Sequence, residues 1–149
     1  MPESINHCKV VEDLDPSITE VNFVERTLRG TWKVPQKFCH TKGTIVHGGT
    51  IAFILDTSMF ILLAALSKNK NSGLSLGLNL QFFNIGKPGI VDVHSKLEKE
   101  GRNIVFGRCD LYQDSEAIAS ATQQMKVFEN DTRSNFDLFF SPGIKFIRE

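Results

Sequence analysis

Two patterns of hydrophobic positions divide this chain of 149 residues. In the run 47–66 nearly every position around a helical wheel is apolar, and Asp56 is the charged exception. A helix that is apolar on all sides needs cover on most of them. In the stretch 74–128 apolar and polar residues alternate instead, which is typical of half-buried strands. Together the two patterns predict one long core helix covered by a sheet.

Turn signals divide the alternating stretch into four strands. Gly86-Lys87-Pro88-Gly89 ends the first, and Glu100-Gly101-Arg102 and Gln113-Asp114-Ser115 separate the other three. In the first strand strict alternation puts the apolar side chains at even positions from 74 to 82 on one face. Ser75 and Asn79 are then predicted on the opposite, polar face.

The part of the chain before residue 41 is less regular. After an irregular start, Pro16 follows Asp15, and apolar residues recur at helical spacing until Gly30, which predicts a short amphipathic helix. These apolar residues are Ile18, Val21, Val24 and Leu28. The stretch 31–40 is compatible with a strand, in which Pro35 must lie at an edge, a bulge or a strand end.

The order of elements is therefore strand, long helix and four antiparallel strands, an α+β pattern in which one sheet curls round one helix. We expect a single domain over 1–149, with an N-terminal segment and short helix over 1–30, a core over 31–129 and a C-terminal extension over 130–149. A sheet of this kind keeps open edges, which favours a homo-oligomer, either a dimer or a tetramer.

Charge and cysteine content exclude several classes of protein. Seventeen basic residues balance seventeen acidic ones, so no net field attracts nucleic acid. The three cysteines lack a CxxC pair, and the N-terminus lacks the features of an export signal, so we expect an intracellular, cytoplasmic protein, with mitochondria as another possible location. The apolar run contains Asp56 and is shorter than the roughly 20 residues of a membrane span, so it is interpreted as a core helix.

Asp56 and the His47-Gly48-Gly49 motif are the candidate chemistry. His47 and Asp56 lie nine positions apart, which is about 13.5 Å along a helix, so they cannot meet within one chain. Asp56 either pairs locally, with a backbone group or a basic side chain, or faces the glycine turn of a second copy. In the second case the free N–H groups of a helix start would form an oxyanion site opposite a carboxylate.

At this point the sequence resembles the hotdog-fold acyl-CoA thioesterases, and specifically the PaaI-type group. The resemblance covers roughly residues 28–128. It rests on Gly43-Thr44-Ile45-Val46-His47-Gly48-Gly49, on Asp56 nine residues after the histidine, and on Gly73-Leu74-Ser75-Leu76-Gly77-Leu78-Asn79. It implies the hotdog fold, an antiparallel sheet wrapped around one long central helix. It also implies hydrolysis of a fatty or aromatic acyl-CoA to the free acid and CoA, at a dimer interface and without another cofactor.

The resemblance also implies roles for individual residues. Asp56 would be the general base or nucleophile, and the backbone N–H of Gly48, beside Gly49, would polarise the thioester carbonyl. His47 would orient the neighbouring loop or the substrate. Ser75 would help to place the attacking water or the aspartate; otherwise it is a solvated strand serine.

Thr41 is a departure from the family pattern. Related enzymes often carry an asparagine six residues before the motif histidine, where its amide helps to hold water or substrate. Here Thr41 or His40 takes over that role, or catalysis is weakened or lost. This departure keeps open a non-catalytic acyl-CoA-binding protein of the same fold. A hotdog hydratase is disfavoured, because those enzymes use a different Asp/His arrangement.

Coenzyme A carries phosphates that need positive partners. The resemblance places the tail of coenzyme A near Arg102 and Asn103, with Asn79 as a further candidate for substrate binding. The other interpretation is that these are solvated surface residues.

A metal site at Cys39, His40 and His47 matches no usual zinc spacing. Cys39 activated by His40 is also disfavoured, because adjacent strand residues point to opposite faces.

The C-terminal segment 134–149 carries too much apolar surface to be left exposed to solvent. They are Phe136, Leu138, Phe139, Phe140, Ile144, Phe146 and Ile147. We expect the segment to dock on a sheet edge or on a neighbouring subunit. The alternative is that it lines or covers the acyl pocket.

Overall fold

The computed structural model describes residues 8–129 and 136–149. Parts of the expected N-terminal segment and C-terminal extension, residues 1–7 and 130–135, lie outside this description. The elements are α1 (Lys9–Leu14), β1 (Ser17–Asn22), β2 (Thr27–Val34), β3 (Cys39–His40), β4 (Ile45–Val46), α2 (Gly48–Leu66), β5 (Asn71–Phe82), β6 (Gly89–Glu100), β7 (Ile104–Gln113), β8 (Glu116–Glu129) and β9 (Phe140–Ile147). Two short 3₁₀ turns, Gln36–Phe38 and Phe136–Phe139, precede β3 and β9.

Seven strands form one sheet in the order β5-β8-β7-β6-β2-β1-β9. Its pairs are antiparallel except for the parallel pair of β1 with β9. The sheet packs around α2, which contacts β5, β6, β7 and β8. The predicted α+β hotdog architecture, the long helix and the four strands after it are confirmed. The small β3–β4 hairpin leads the chain into α2.

The core lies between α2 and the concave face of the sheet. On α2, Leu55 and Met59 are among the side chains with almost no exposure, and Trp32 of β2 is fully buried beneath the helix. The Trp32 indole N–H donates to Ser58 Oγ at 3.0 Å, and Ser58 Oγ donates to the Ile54 carbonyl at 2.7 Å. These bonds satisfy the polar atoms that α2 buries, as a low-dielectric core requires.

The helix predicted for residues 16–30 is wrong. This stretch forms the antiparallel hairpin of β1 and β2. A β-bulge between Ile18 and Glu20 inserts one extra residue into β1, and Ile18 and Val21 consequently both point into the core. A bulged strand thus reproduces the three-residue spacing of a helix. The short helix of this region is α1, within the start that was expected to be irregular, and it buries Val11 and Leu14.

Pro35 lies directly after the last residue of β2, so its predicted position at a strand end is confirmed. The predicted strand over 31–40 is only partly correct, because Gln36–Phe38 forms a 3₁₀ turn between β2 and β3. The chain needs this break, since proline cannot donate to a ladder and ends the pairing of β2 with β6.

The C-terminal extension docks on a sheet edge of its own chain. β9 runs parallel to β1, and Val21 lies opposite Phe146 in their register. The Arg148 guanidinium lies 4.5 Å from the centre of the Phe23 ring, which adds a cation–π contact at the turn after β1. The expected docking on a sheet edge is therefore confirmed, and β9 occupies the opposite edge from β5.

By length and composition alone α2 is apolar enough to cross a membrane. More than half of its apolar window is buried inside the fold, however, and the sheet packs around it. This agrees with its interpretation as a core helix.

Candidate functional site

Asp56 lies midway along α2, on a stripe of the helix that the sheet leaves half-exposed. The spacing of the stripe is three or four residues, which defines one side of a helix. We call it the open face of α2; it comprises Gly49, Ala52, Phe53, Asp56, Thr57 and Phe60. Of these six residues only Asp56 is charged. The site is therefore a carboxylate set among small and aromatic side chains.

Two side chains from the sheet hold this carboxylate. Ser75 Oγ on β5 donates to Asp56 Oδ1 at 2.6 Å, and the Gln123 Nε2 amide on β8 donates to the same oxygen. Gln123 Nε2 also lies 2.8 Å from Ser75 Oγ, so the three side chains form a closed triangle. Within the described residues no hydrogen bond reaches Asp56 Oδ2. Hydrogen bonds thus fix Oδ1, whereas Oδ2 has no described partner and is available to accept a proton or to act as a nucleophile.

Within the described residues Asp56 pairs with neither a basic side chain nor a backbone group. The local pairing that the sequence left open for this residue is therefore not seen. Its partners are a hydroxyl and an amide. Such partners fix the geometry of a carboxylate but leave its charge unneutralised. The predicted pairing of Ser75 with the aspartate is present.

A bulge in β5 explains how Ser75 reaches α2. Ser75 lies opposite Met125 of β8, and Gly77 lies opposite Gln124, so Leu76 is an extra residue in the ladder. Leu78 then lies opposite Gln123, whose side chain points to α2. The predicted strict alternation over 74–82 is therefore wrong: after the bulge the leucines, not the polar residues, share the helix side of the sheet with Ser75.

This switch leaves an apolar wall beside the carboxylate. Leu78, Leu80 and Phe82 lie opposite inward-facing residues of β8 but are only partly covered; Phe82 is 54% exposed. Among residues 8–129 and 136–149, β5 pairs with β8 alone and therefore lies at an edge of the sheet. The open face of α2 and the inner face of β5 adjoin each other, and we call the partly exposed apolar surface that they share the cleft; it ends at the edge of β5.

The N-terminus of α2 supplies two unused hydrogen-bond donors. His47 is the N-cap residue without a side-chain cap, and its own N–H donates to the Phe38 carbonyl at 3.1 Å. Within the described residues the N–H groups of Gly48 and Gly49 have no partner. A Cβ at Gly49 would meet nothing within 4 Å, so a ligand could approach this backbone closely. Such a helix start is suited to a developing negative charge.

Asp56 and these donors are far apart in one chain. Gly48 opens the helix eight residues before Asp56, which corresponds to about 12 Å of rise. The structure therefore brings Asp56 and Ser75 together but does not bring either of them to Gly48. A substrate carbonyl bound by both groups would need donors from elsewhere.

Residues 43–120, just over half of the chain, match the family described as the Thioesterase superfamily. The chain belongs to this superfamily. A Pseudomonas aeruginosa protein described as a candidate esterase is 25% identical over 99 residues, which is 66% of this chain and 73% of that protein.

Solved structures of superfamily proteins resemble this one closely. A candidate thioesterase of Ralstonia eutropha, described as a phenylacetic acid degradation-related protein, has a TM-score of 0.75 at 26% identity, covering 81% of this chain and 91% of that one. A hypothetical thioesterase of Streptococcus pneumoniae, solved with coenzyme A, has a TM-score of 0.68 at 18% identity, covering 78% of this chain and 91% of that one. The superfamily and the Ralstonia eutropha neighbour support thioester hydrolysis as the general class of reaction, and the Streptococcus pneumoniae neighbour shows the fold.

Two histidines, His40 and His47, lie close together at the start of α2. The ring centres of His40 and His47 lie 4.9 Å apart, and His40 Nδ1 is 2.9 Å from Thr41 Oγ1. Thr41 itself is exposed in a left-handed turn with a φ of 52°. This small cluster lies at the start of α2, so Thr41 and His47 belong to the helix-start half of the site rather than to the Asp56 half.

No group of three or more metal-ligating side chains occurs among residues 8–129 and 136–149. Burial raises the pKa of the Cys39 thiol, which makes it a poor nucleophile at neutral pH. The Cys39 thiol donates to the Pro35 carbonyl, with an Sγ–O distance of 3.7 Å. Cys39 is less exposed than His40, its neighbour in β3.

None of the predicted substrate-binding residues of the sheet hydrogen-bonds to the triangle within the described residues. Arg102 and Asn103 form the exposed turn between β6 and β7, and the Asn103 carbonyl accepts the Val127 N–H at 2.7 Å. This is the end of the sheet where β5 begins, whereas Gly48 lies against the end of β5 at Phe82. Asn79 lies opposite Thr122, on the face turned away from α2.

Gln123 is the site residue that the sequence analysis did not identify. It is only 1% exposed and contacts two of the predicted site residues. A signal for it exists in the alternation of β8, where Gln123 is the polar member of the inward row with Ala119, Ala121 and Met125.

Proposed function

We propose that this protein hydrolyses acyl-CoA thioesters, at sites that form between two copies of the chain. The observation that carries the proposal is the division of the site along α2. A fixed carboxylate lies on the open face of the helix, and the free N–H groups lie about 12 Å away at its start. In a two-fold dimer with antiparallel helices, the carboxylate of one copy could face the glycine turn of the other.

The free surface of the monomer favours such a dimer. β5 presents an unpaired edge, and the apolar cleft beside it is incompletely covered. Pairing of two β5 edges would satisfy the unpaired backbone groups and cover the cleft with the second copy. The cleft would then bind an apolar acyl group next to Asp56.

Each side chain would have a defined task in the reaction. Asp56 Oδ2 would take a proton from a water molecule as the water oxygen attacks the thioester carbonyl carbon. The N–H of Gly48 of the partner subunit would stabilise the oxyanion of the tetrahedral intermediate. The C–S bond then breaks, CoA leaves as the thiolate and takes up a proton, and the carboxylic acid remains. Direct attack by Asp56 Oδ2 would give a mixed anhydride that water hydrolyses to the same products.

Coenzyme A as the leaving group is supported by one structural neighbour and by an exposed turn that carries a cation, Arg102, and an amide, Asn103. The Streptococcus pneumoniae neighbour was solved with coenzyme A. In this chain Arg102 and Asn103 lie on an exposed turn. They lie at the far end of the sheet from Gly48 of the same copy, so in a two-fold dimer they could meet the phosphates of a ligand bound at the partner's helix start.

Asp56→Asn tests the catalytic step. Asparagine keeps the size of the side chain and an oxygen that accepts from Ser75 and Gln123, so folding and assembly should be unchanged. We expect kcat for thiol release from acyl-CoA to fall by about 100-fold or more. Asp114→Asn, in the β7–β8 turn, is the matched control and should retain full activity. Wild-type turnover by Asp56→Asn would refute the mechanism.

Gly48→Pro tests the division of the site between copies. Proline is favoured at the first position of a helix and removes the N–H of residue 48. His47 has φ −57° and ψ 136°, which suits a residue before proline. The new Cβ would lie 3.1 Å from Phe82 Cζ, so the ring need shift only slightly. This variant alone should be inactive.

Co-expression of Asp56→Asn with Gly48→Pro should restore activity. Half of randomly paired dimers carry both variants, and one of the two sites in each is intact, so about a quarter of the wild-type rate is expected. If Asp56 and Gly48 act within one chain, no mixture regains activity.

A non-catalytic acyl-CoA-binding protein is the second candidate, because Thr41 replaces the asparagine of related enzymes and occupies a left-handed backbone. Titration calorimetry of the wild type with acyl-CoA, together with a thiol assay, separates the two. Binding without thiol release supports this candidate.

A further inference from the structure

Gln123 has unusual surroundings for an amide side chain. It lies on the helix side of β8 between Ala121 and Met125 and is almost completely buried. Both contacts of its Nε2 atom go to the candidate catalytic group and that group's hydroxyl partner. Within the described residues the side-chain hydrogen bonds of Gln123 go to Asp56 and Ser75 alone, so its polar group serves the site.

The hydrogens of the triangle follow from its atoms. A carboxylate only accepts hydrogen bonds, and an amide nitrogen has two N–H groups to donate. The Gln123 amide must therefore direct Nε2 towards Asp56, because the opposite orientation would place its carbonyl oxygen against the carboxylate. Since Ser75 Oγ accepts from Gln123, its own proton points to Asp56 Oδ1. Gln123 thus fixes Oδ1 directly, and fixes it a second time through Ser75.

The other end of the Gln123 amide has no partner. Oε1 is buried, and no hydrogen-bond donor reaches it within the described residues. An unpaired buried acceptor works against folding, and an apolar side chain of similar shape would avoid this penalty. One end of the amide therefore adds a penalty to folding, at the same place where the other end orders the catalytic carboxylate. Residues of this kind are expected where a site needs them more than the fold does.

We propose that Gln123 is a positioning residue that holds Asp56 and Ser75 in the reactive arrangement, with Asp56 Oδ2 free to act on water. The inference rests on the proposed hydrolysis. Gln123 does not itself touch the thioester; it restricts the rotation of the Asp56 carboxylate and the direction of the Ser75 proton. Loss of this order reduces the fraction of bound substrate that meets a correctly oriented base.

Gln123→Met tests this role, because methionine has a similar length and no amide. We expect kcat to fall about 10- to 100-fold while KM for the acyl-CoA stays unchanged. The melting temperature should change by no more than about 2–4 °C, since the loss of the two Nε2 hydrogen bonds is offset by removal of the unpaired acceptor. Gln124→Met, the next residue of β8 but on the face turned away from α2, is the matched control and should keep wild-type kcat.

The two measurements together decide the question. If Gln123 were merely structural, kcat per folded molecule would be unchanged in Gln123→Met, and any loss of activity would follow the loss of folded protein. A Gln123→Met variant with wild-type kcat would therefore overturn the proposal. Failure of the proposed hydrolysis is distinguishable, because then the wild type itself releases no thiol from any acyl-CoA.

A charge at the same position gives a second readout. Gln123→Glu keeps the shape but places a second carboxylate beside Asp56, and it can donate a hydrogen bond only when it is protonated. We expect the pH optimum of kcat to move to lower values than in the wild type. An unchanged pH profile in this variant would contradict a positioning role through the Nε2 donor.

Discussion

Thr41 gives a prediction about both stability and function. It has a φ of 52°, and Lys42 and Gly43 follow with φ values of 57° and 77°. A β-branched residue rarely adopts this left-handed conformation, because its branched side chain meets the backbone. The loop is nevertheless held in place: the Thr44 N–H donates to the His40 carbonyl at 3.1 Å, and Thr44 Oγ1 donates to the Thr41 carbonyl at 2.6 Å.

Thr41→Asn should therefore stabilise the fold. The left-handed conformation costs an ordinary residue about 1–2 kcal/mol, and asparagine avoids much of this cost through local hydrogen bonds. The change removes the contact of Thr41 Oγ1 with His40 Nδ1, an exposed interaction worth about 0.5 kcal/mol. The net gain is about 0.5–1.5 kcal/mol, which raises the melting temperature by about 1–6 °C in a protein of this size.

Thermal unfolding of purified variants measures this gain directly. Thr44→Asn is the comparison in the same loop: Thr44 lies outside the left-handed region and its hydroxyl bond to the Thr41 carbonyl is lost, so its melting temperature should be equal or lower. Asparagine is also the residue that related thioesterases often carry at this position, so Thr41→Asn should keep or raise kcat for acyl-CoA. An equal or lower melting temperature for Thr41→Asn would show that the loop is not strained at this residue.

Two further predictions concern groups whose titration the fold alters. Burial raises the pKa of the Cys109 thiol to about 12, so a thiol reagent at pH 8 should modify exposed Cys8 in the native protein and reach Cys109 only after unfolding; rapid native labelling of Cys109 would contradict this. Burial and the Arg29 guanidinium lower the pKa of His94 from 6.5. Because the unfolded chain then binds the proton more readily, stability should fall as the pH drops below about 6.5, and a His94→Gln variant should show a flatter melting-temperature profile if this is correct.

The elements that the sequence predicted well are those with local signals. The apolar run became α2 within one residue of its predicted start. The three turn signals after it became the connections between β5, β6, β7 and β8. Asp114 and Ser115 both adopt positive φ angles, as expected for a two-residue hairpin loop. Such signals depend on a few adjacent residues, so they are readable without the tertiary structure.

Two of the predictions that failed, the helix over 16–30 and the strict alternation over 74–82, failed for the same physical reason. Bulges in β1 and β5 change the face of a strand in its middle. Strand pairing determines where an extra residue is accommodated, and a single sequence carries little information about its pairing partner. In β1 the bulge produced a false helical period, and in β5 it produced a false polar face for Ser75.

Half of the candidate site was predictable because it is marked by adjacent residues, whereas the other half depends on strand pairing. Asp56 is the one charge within an apolar helix, and Gly48 and Gly49 stand at the start of that helix. The sequence alone therefore identifies both groups. Gln123 lies 67 residues from Asp56 and becomes its partner only through the pairing of β8 with β5. Its row on β8 shows that it is unusual, but the sequence does not show which group it contacts.

The bulge in β5 connects the chemistry of the site to its apolar cleft. Without the extra residue at Leu76, the side of β5 that carries Ser75 would continue with Gly77 and Asn79, and the wall next to Asp56 would be small and polar. With it, Ser75 still meets Asp56, and the same side continues with Leu78 and Leu80. One irregularity therefore supplies both the hydroxyl that orients the acid and the apolar wall that an acyl chain would need. A regular strand could supply either one, but this sequence would not then provide both on the same face.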